Sequence, residues 1–464
     1  MRQLVLMRHA KAKRGSQKMA DHDRPLSKRG RRQAAAMAEA MQYRKDLEGE
    51  LKLHVSGATR TRETLDEMAK RRPELALSER ADVDETLYTF DANALLAWLR
   101  RLPDANANVL VIGHNPALLE LARWLCPAAP DGLPTGSLLR LALPDTAWRS
   151  LERDSAEGME SLTPEQASHA LFKRRGPEPP KLDKAGLKRR ILELLAHQYR
   201  CVRALEPGMV AGVDVEFLHQ YRVNLRRSRA IGESVLTTIK VPGLKKRLKR
   251  LKRRAQATSD LRDLDVFLES LTESSPPLAS RSRQALTRWL QARRKEAHAA
   301  LCQQLAQPDY AEAMRDWWNL IHSRAFRQAL AGVSNKRIAS VLIERLVRHD
   351  QALAGLTSQS DDGAFHDLRK AVKRIRYLAE LAPKRHREFL AGLKHRQRLL
   401  GDFQDLCTRQ AWIEAFAASA RHAPRRRREC DTWQAALEEK KRALREKIMA
   451  LAPLAGAHGT ALKR

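Results

Sequence analysis

Two histidines and two arginines in the first quarter of the chain stand where a phosphoryl group can be handled. The apolar run Leu4-Val5-Leu6-Met7 leads straight into Arg8-His9. A second run, Leu51–Val55, is followed by Ser56-Gly57-Ala58-Thr59-Arg60, and a third, Asn108–Gly113, by His114-Asn115-Pro116. Phosphoryl transfer asks for a nucleophile in line with phosphorus and several positive donors on its equatorial oxygens. An imidazole serves as the first; guanidinium groups and a second imidazole serve as the others. A single His or Arg at a strand end is more often structural. Recurrence at three strand ends is what points to a site.

Those residues need strands that end at one edge. Apolar runs that hand over to polar loops and then to helical patterns indicate βαβ units and a mostly parallel sheet flanked by helices, with ligands at the carboxyl ends of the strands. The loop Asp21-His22-Asp23-Arg24-Pro25-Leu26 precedes Ser27, a suitable N-cap for a helix through Ala34–Met41. Arg60 falls in the first turn of a second helix, Asp84–Tyr88 precedes a third around Ala92–Arg101, and Pro116 suits the start of a fourth. Ser137–Leu143 adds a further strand. His22 and His54 read as ordinary loop and strand-end residues.

Leu6-Met7-Arg8-His9-Ala10, Asp23-Arg24-Pro25-Leu26-Ser27-x-x-Gly30, Ser56…Arg60…Thr64 and Gly113-His114-Asn115-Pro116 together resemble the histidine phosphatase superfamily, and within it the short SixA-like phosphohistidine phosphatases. The resemblance covers about residues 1–155 and implies a phosphoglycerate-mutase-like α/β fold. It further implies that His9 becomes phosphorylated while Arg8, Arg60 and His114 bind the transferred group. Ala10 stands where the superfamily usually has glycine. For the proton donor to the leaving group, Glu85 is the first candidate by position and Asp23 the second. Neither a metal nor another cofactor is expected.

The chain of 464 residues carries 87 Lys and Arg against 55 Asp and Glu, a formal charge of +32. Residues 1–160 are nearly balanced, at 26 basic and 23 acidic, so the excess lies beyond them, at 61 against 32. Such a field implies a polyanionic partner for the C-terminal part. The five cysteines, Cys126, Cys201, Cys302, Cys407 and Cys430, form no CxxC pair, which suits a reducing compartment rather than a disulfide framework or a zinc site. No apolar span suits a signal peptide or a membrane helix, so a soluble, cytoplasmic protein is expected.

Residues 156–180, with Thr163-Pro164 and Gly176-Pro177-Glu178-Pro179-Pro180, read as a linker. From Leu187 onward long Ala-, Leu-, Arg- and Lys-rich helical patterns predict an all-α region. It holds an internal duplication, at about 187–306 and 307–455. His219-x-x-Arg222-x-x-x-Arg226-x-x-Arg229 repeats as His366-x-x-Arg369-x-x-x-Lys373-x-x-Arg376, and Asp260-x-x-Asp263 repeats as Asp402-x-x-Asp405. Each set of four cationic positions spans an arc of about 80° on a helix. Two such stripes on a common groove suit a linear polyanion, with the aspartates orienting arginines through bidentate pairs.

This region, about 181–455, resembles the CHAD family, the conserved histidine α-helical domain. That implies two pseudo-symmetric helical bundles and a basic channel that binds inorganic polyphosphate. Two functions follow as expectations. One is a phosphohydrolase with a phosphohistidine intermediate, acting on polyphosphate or on a phosphohistidine protein and sited at polyphosphate granules. The other is a non-enzymatic polyanion-binding protein. Low aromatic content leaves nucleic acid only as a non-specific partner.

Overall fold

In the computed structural model, residues 2–455 are described apart from 16, 18, 48, 49, 274, 275 and 420–423. They form two compact units, one of residues 1–176 with 206–217, the other of 177–205 with the chain from 218 on.

The first unit is built on a six-stranded sheet: β1 (Arg2–Arg8), β2 (Leu51–Ser56), β3 (Ala81–Asp84), β4 (Asn108–Gly113), β5 (Leu138–Leu143) and β6 (Gly158–Leu162), in the order β3-β2-β4-β1-β5-β6. The four strands from β3 to β1 run parallel, and β5 and β6 are antiparallel additions on one side. Helices α1 (Lys28–Tyr43), α2 (Thr59–Arg71), α3 (Ala92–Leu99) and α4 (Ala117–Leu125) cover both faces. Alternation along β1 explains how: Leu4 and Leu6 face a core with the buried residues of α3 and α4, while Val5 and Met7 face one with those of α1 and α2.

Parallel β1, β2 and β4 are neighbours, so their carboxyl ends, with His9, Ser56 and His114, open on one edge. Residues 156–180 are not a linker throughout. They supply β6 and the short helices α5 (Pro164–Ala167) and α6 (His169–Phe172), and the unit runs to Gly176. Thr163 and Gln166 form the capping box of α5, with Pro164 in its first turn, and β6 is a short edge strand with a mostly exposed pattern.

The second unit is helical: α7 (Leu187–Ala211, whose last turns belong with the first unit), α8 (Val215–Thr238), α9 (Leu244–Gln256), α10 (Ser259–Glu273), α11 (Ser280–Ala306), α12 (Pro308–His322), α13 (Arg324–Ala329), α14 (Asn335–Ala354), α15 (Asp362–Ala379), α16 (Arg387–Ser419) and α17 (Pro424–Met449). The duplicated motifs fall on α8 and α15. Their companions differ: the first copy breaks between α9 and α10, where the second has the single helix α16. No helix among the described residues is long and apolar enough to cross a membrane.

Candidate functional site

His9 follows β1 directly and is 9% exposed. Its Nδ1 lies 2.8 Å from the Ala10 carbonyl. A carbonyl only accepts, so Nδ1 carries the hydrogen and Nε2 keeps the lone pair. That lone pair accepts from Arg60 Nε–H at 3.2 Å. Burial, followed in effect by Arg60 and Arg8 and opposed by the Ala10 bond, lowers the imidazole to about pKa 4. His9 is therefore neutral at ordinary pH, with its lone pair on Nε2.

His114, after β4, stands with its ring centroid 5.2 Å from that of His9. Arg60 Nη2–H donates to its Nδ1 at 3.2 Å, so its Nε2–H donates to Ser56 Oγ at 2.8 Å. Burial, then His9 and Arg60, lower it to about 3. Arg60 thus bridges both imidazoles, and its Nη2 also binds Asp21 Oδ2 at 2.9 Å. Arg8 Nη1–H donates to the Leu133 carbonyl at 2.8 Å, while its Nε–H is buried with no hydrogen-bond partner among the described residues. Burial and Arg60 lower its pKa. Arg60 thus touches both imidazoles, and Arg8 acts on both through its charge.

Small residues set the spacing. Ala10 N–H donates to Thr64 Oγ1 at 3.0 Å, tying the His9 loop to α2. Ser27 Oγ accepts from Gly30 N at 3.1 Å and donates to the Lys11 carbonyl at 2.8 Å. A Cβ at Gly30 would strike the Lys11 backbone, so the α1 terminus reaches the His9 loop only with glycine there.

The two candidate proton donors meet on an unexpected partner. Glu85, in a single 3-10 turn after β3, packs its carboxylate over Gly57, where any Cβ would collide with it. Its Oε2 lies 3.3 Å from His22 Nε2, and Asp23 Oδ1 lies 3.1 Å from His22 Nδ1. The loop acid joined to Arg60 is Asp21 instead. Arg24 first, with Tyr88 and Arg60, lowers it to about 2, so it holds no proton to give. Tyr88 OH donates to Asp21 Oδ2 at 3.0 Å, and the Tyr88 and Phe90 rings flank His114. Asp21, His22, Tyr88 and Phe90 lie in loop segments without periodicity, and only their proximity in sequence to the quoted motifs marks them.

In the helical unit, Arg226 of α8 and Arg369, Lys373 and Arg376 of α15 line one cavity of about 290 Å³, with Tyr377, Gln397 and Arg398. Burial first, then Arg369 and Arg226, push the Lys373 ammonium down to about 7. Burial also lowers Arg222 and Arg369. Nε of Arg226 and of Arg369 is buried with no hydrogen-bond partner among the described residues. Arg229 is not among the lining residues; it pairs with Glu233 at 3.1 Å. Arg222 donates to Thr258 Oγ1 at 2.6 Å, His219 sits half-buried on α8, and His366 Nδ1 bonds Gln404. Asp263 and Asp405 attract Arg222 and Arg369, but the bidentate pairs expected of Asp260, Asp263, Asp402 and Asp405 are not found among the described residues. Nor is any group of three or more His, Cys, Asp or Glu placed there to hold a metal ion.

The histidine phosphatase superfamily (branch 1) profile matches residues 4–92, and the CHAD domain profile matches residues 193–414. The two matches fall on separate stretches, the first within the sheet-bearing unit and the second largely within the helical one. Among solved structures it is similar to the protein histidine phosphatase SixA complexed with tungstate, at 26% identity over 35% of this chain and 97% of that one, TM-score 0.29. It is also similar to the CHAD domain from the plant Ricinus communis, at 21% identity, 60% and 97% coverage and TM-score 0.46. PptA from Streptomyces chartreusis aligns at 17% identity, 60% and 98% coverage and TM-score 0.44. No curated protein matches significantly.

Proposed function

We propose that the first unit is a phosphohydrolase working through a phosphohistidine at His9, and that the helical unit binds inorganic polyphosphate. One observation carries the first part: the Ala10 carbonyl holds the His9 hydrogen on Nδ1, leaving the Nε2 lone pair beside Arg60. Nε2 attacks phosphorus while Arg8, Arg60 and His114 take the equatorial oxygens. The leaving group departs with a proton from Glu85, and water then cleaves the N–P bond. Crowded cations around Lys373 support the second part, because an anionic polymer relieves their mutual repulsion.

The substrate is then polyphosphate, brought by the helical unit, or a phosphohistidine protein partner, with the chain in the cytoplasm at polyphosphate granules. The test incubates the chain with long-chain polyphosphate and, separately, with a phosphohistidine protein. Phosphate release is followed, with acid-labile phosphoenzyme trapped by denaturation. Release from at least one substrate, with label on His9, is expected. Phosphate release without label on His9 would sink the mechanism; absence of release from both would sink the activity.

A further inference from the structure

His22 is held as though it belonged to the chemistry. Its carbonyl accepts from Thr59 N–H at 3.0 Å, at the start of the helix that carries Arg60. Its ring meets the Tyr88 ring edge-on at 4.9 Å, and Tyr88 in turn meets His114 edge-on at 5.2 Å. One aromatic ring therefore separates it from a phosphoryl-binding imidazole. Both its nitrogens face carboxylates, Asp23 at Nδ1 and Glu85 at Nε2.

The proton count of this string is the informative part. A neutral imidazole has one N–H, and an ionised carboxylate can only accept. Hydrogen bonds at both nitrogens therefore require one proton more than a neutral histidine and two carboxylates possess. The extra proton resides on the ring, as imidazolium, or on one of the two carboxyl groups, and the string His22 forms with Asp23 and Glu85 lets it reach Glu85. Glu85 has a 71% exposed side chain, and the His22 ring is the group placed beside its carboxylate to share a proton with it.

We propose that His22, backed by Asp23, is the positioning residue that keeps Glu85 charged with the proton delivered to the leaving group. This rests on the reading of His9 as nucleophile. In the first step the bond between phosphorus and the leaving oxygen breaks, the bond from His9 Nε2 to phosphorus forms, and the oxygen takes the proton from Glu85. In the second, water attacks phosphorus, the N–P bond returns its electron pair to Nε2, and the water proton passes to Glu85. The string ends as it began. Asp23, the second candidate donor, then acts through His22 rather than on substrate.

The test is leaving-group dependence, measured on the full chain as the single-turnover rate of phosphoenzyme formation. Phenyl phosphate needs a protonated leaving oxygen; 4-nitrophenyl phosphate, with its acidic phenol, does not. His22→Gln keeps a hydrogen bond to Glu85 but cannot store the proton. It should slow formation from phenyl phosphate about 100-fold and from 4-nitrophenyl phosphate by less than about threefold. Glu85→Gln should reproduce that split, and the double variant should be no slower than either single one. Equal slowing on both esters, or none on phenyl phosphate, overturns the proposal while leaving His9 in place. If the unaltered chain forms no phosphoenzyme from either ester, the reading of His9 falls and takes this one with it.

Discussion

The two units collect positive charge in opposite ways. Around His9 each functional group has a fixed place: Nδ1 on the Ala10 carbonyl, Arg8 on Leu133, Arg60 on Asp21, His114 on Ser56. Around Lys373 the cations face one another, and two buried guanidinium nitrogens find no partner among the described residues. The first arrangement suits one small group held to within fractions of an ångström. The second suits a polymer whose many equivalent phosphates satisfy a field rather than a set of positions. Pinned and crowded sites should therefore fail differently when altered.

The largest difference should come from His9→Gln. Phosphatase turnover should fall at least about a thousandfold and the acid-labile phosphoenzyme vanish, with polyphosphate affinity unmoved. Retained turnover would remove the nucleophile from the pinned site.

Next is the joint replacement of Arg222, Arg226, Arg369 and Lys373 by glutamine. Polyphosphate affinity at low salt should drop roughly 100-fold, with a shallower dependence of log K on log salt. Relief of repulsion should raise the melting temperature of the helical unit at the same time, which calorimetry would detect. Loss of both affinity and stability would show that the cluster is structural.

Acid should weaken the pinned site specifically. His9 has a folded pKa near 4 against about 6.5 unfolded. Above pH 6.5 neither state is protonated, and between the two values only the unfolded chain takes up the proton. Stability of the first unit should then fall as pH falls from 6.5 toward 4, by about 3 kcal/mol from His9 alone. His9→Gln should flatten that part of a denaturation series; an unchanged slope would break the argument.

The smallest effect concerns Lys373. With its pKa near 7 it is charged below that pH and neutral above. Affinity for polyphosphate should decline several-fold as pH rises through 7, and Lys373→Arg should abolish the decline. Titration calorimetry at pH 6 and 8 would measure it.

Much of this was legible in the residues. Apolar runs ending in Arg8-His9 and His114 placed the strands and the edge they share, because buried parallel strands read as continuous hydrophobic stretches. Strands β3 and β6 escaped because they are short edge strands with mostly exposed faces, carrying no such run. The stripe on α8 was legible as spacing, but not which of its members turn inward. Glu233, four residues on, draws Arg229 into an ion pair instead. His22 was passed over because a loop histidine has no period to betray it. Its meaning comes only from Glu85, 63 positions away along the chain.

The break between α9 and α10, absent from α16, gives the duplicated motif unlike surroundings. Arg222 is caught by the Thr258 hydroxyl at that break, whereas His366 is caught by Gln404 on an unbroken helix. A polymer that reads the same from both ends can enter such a cradle in two orientations. Under the proposed polyphosphate binding, unequal halves would make those orientations unequal in energy, and a symmetric ligand would acquire a head and a tail.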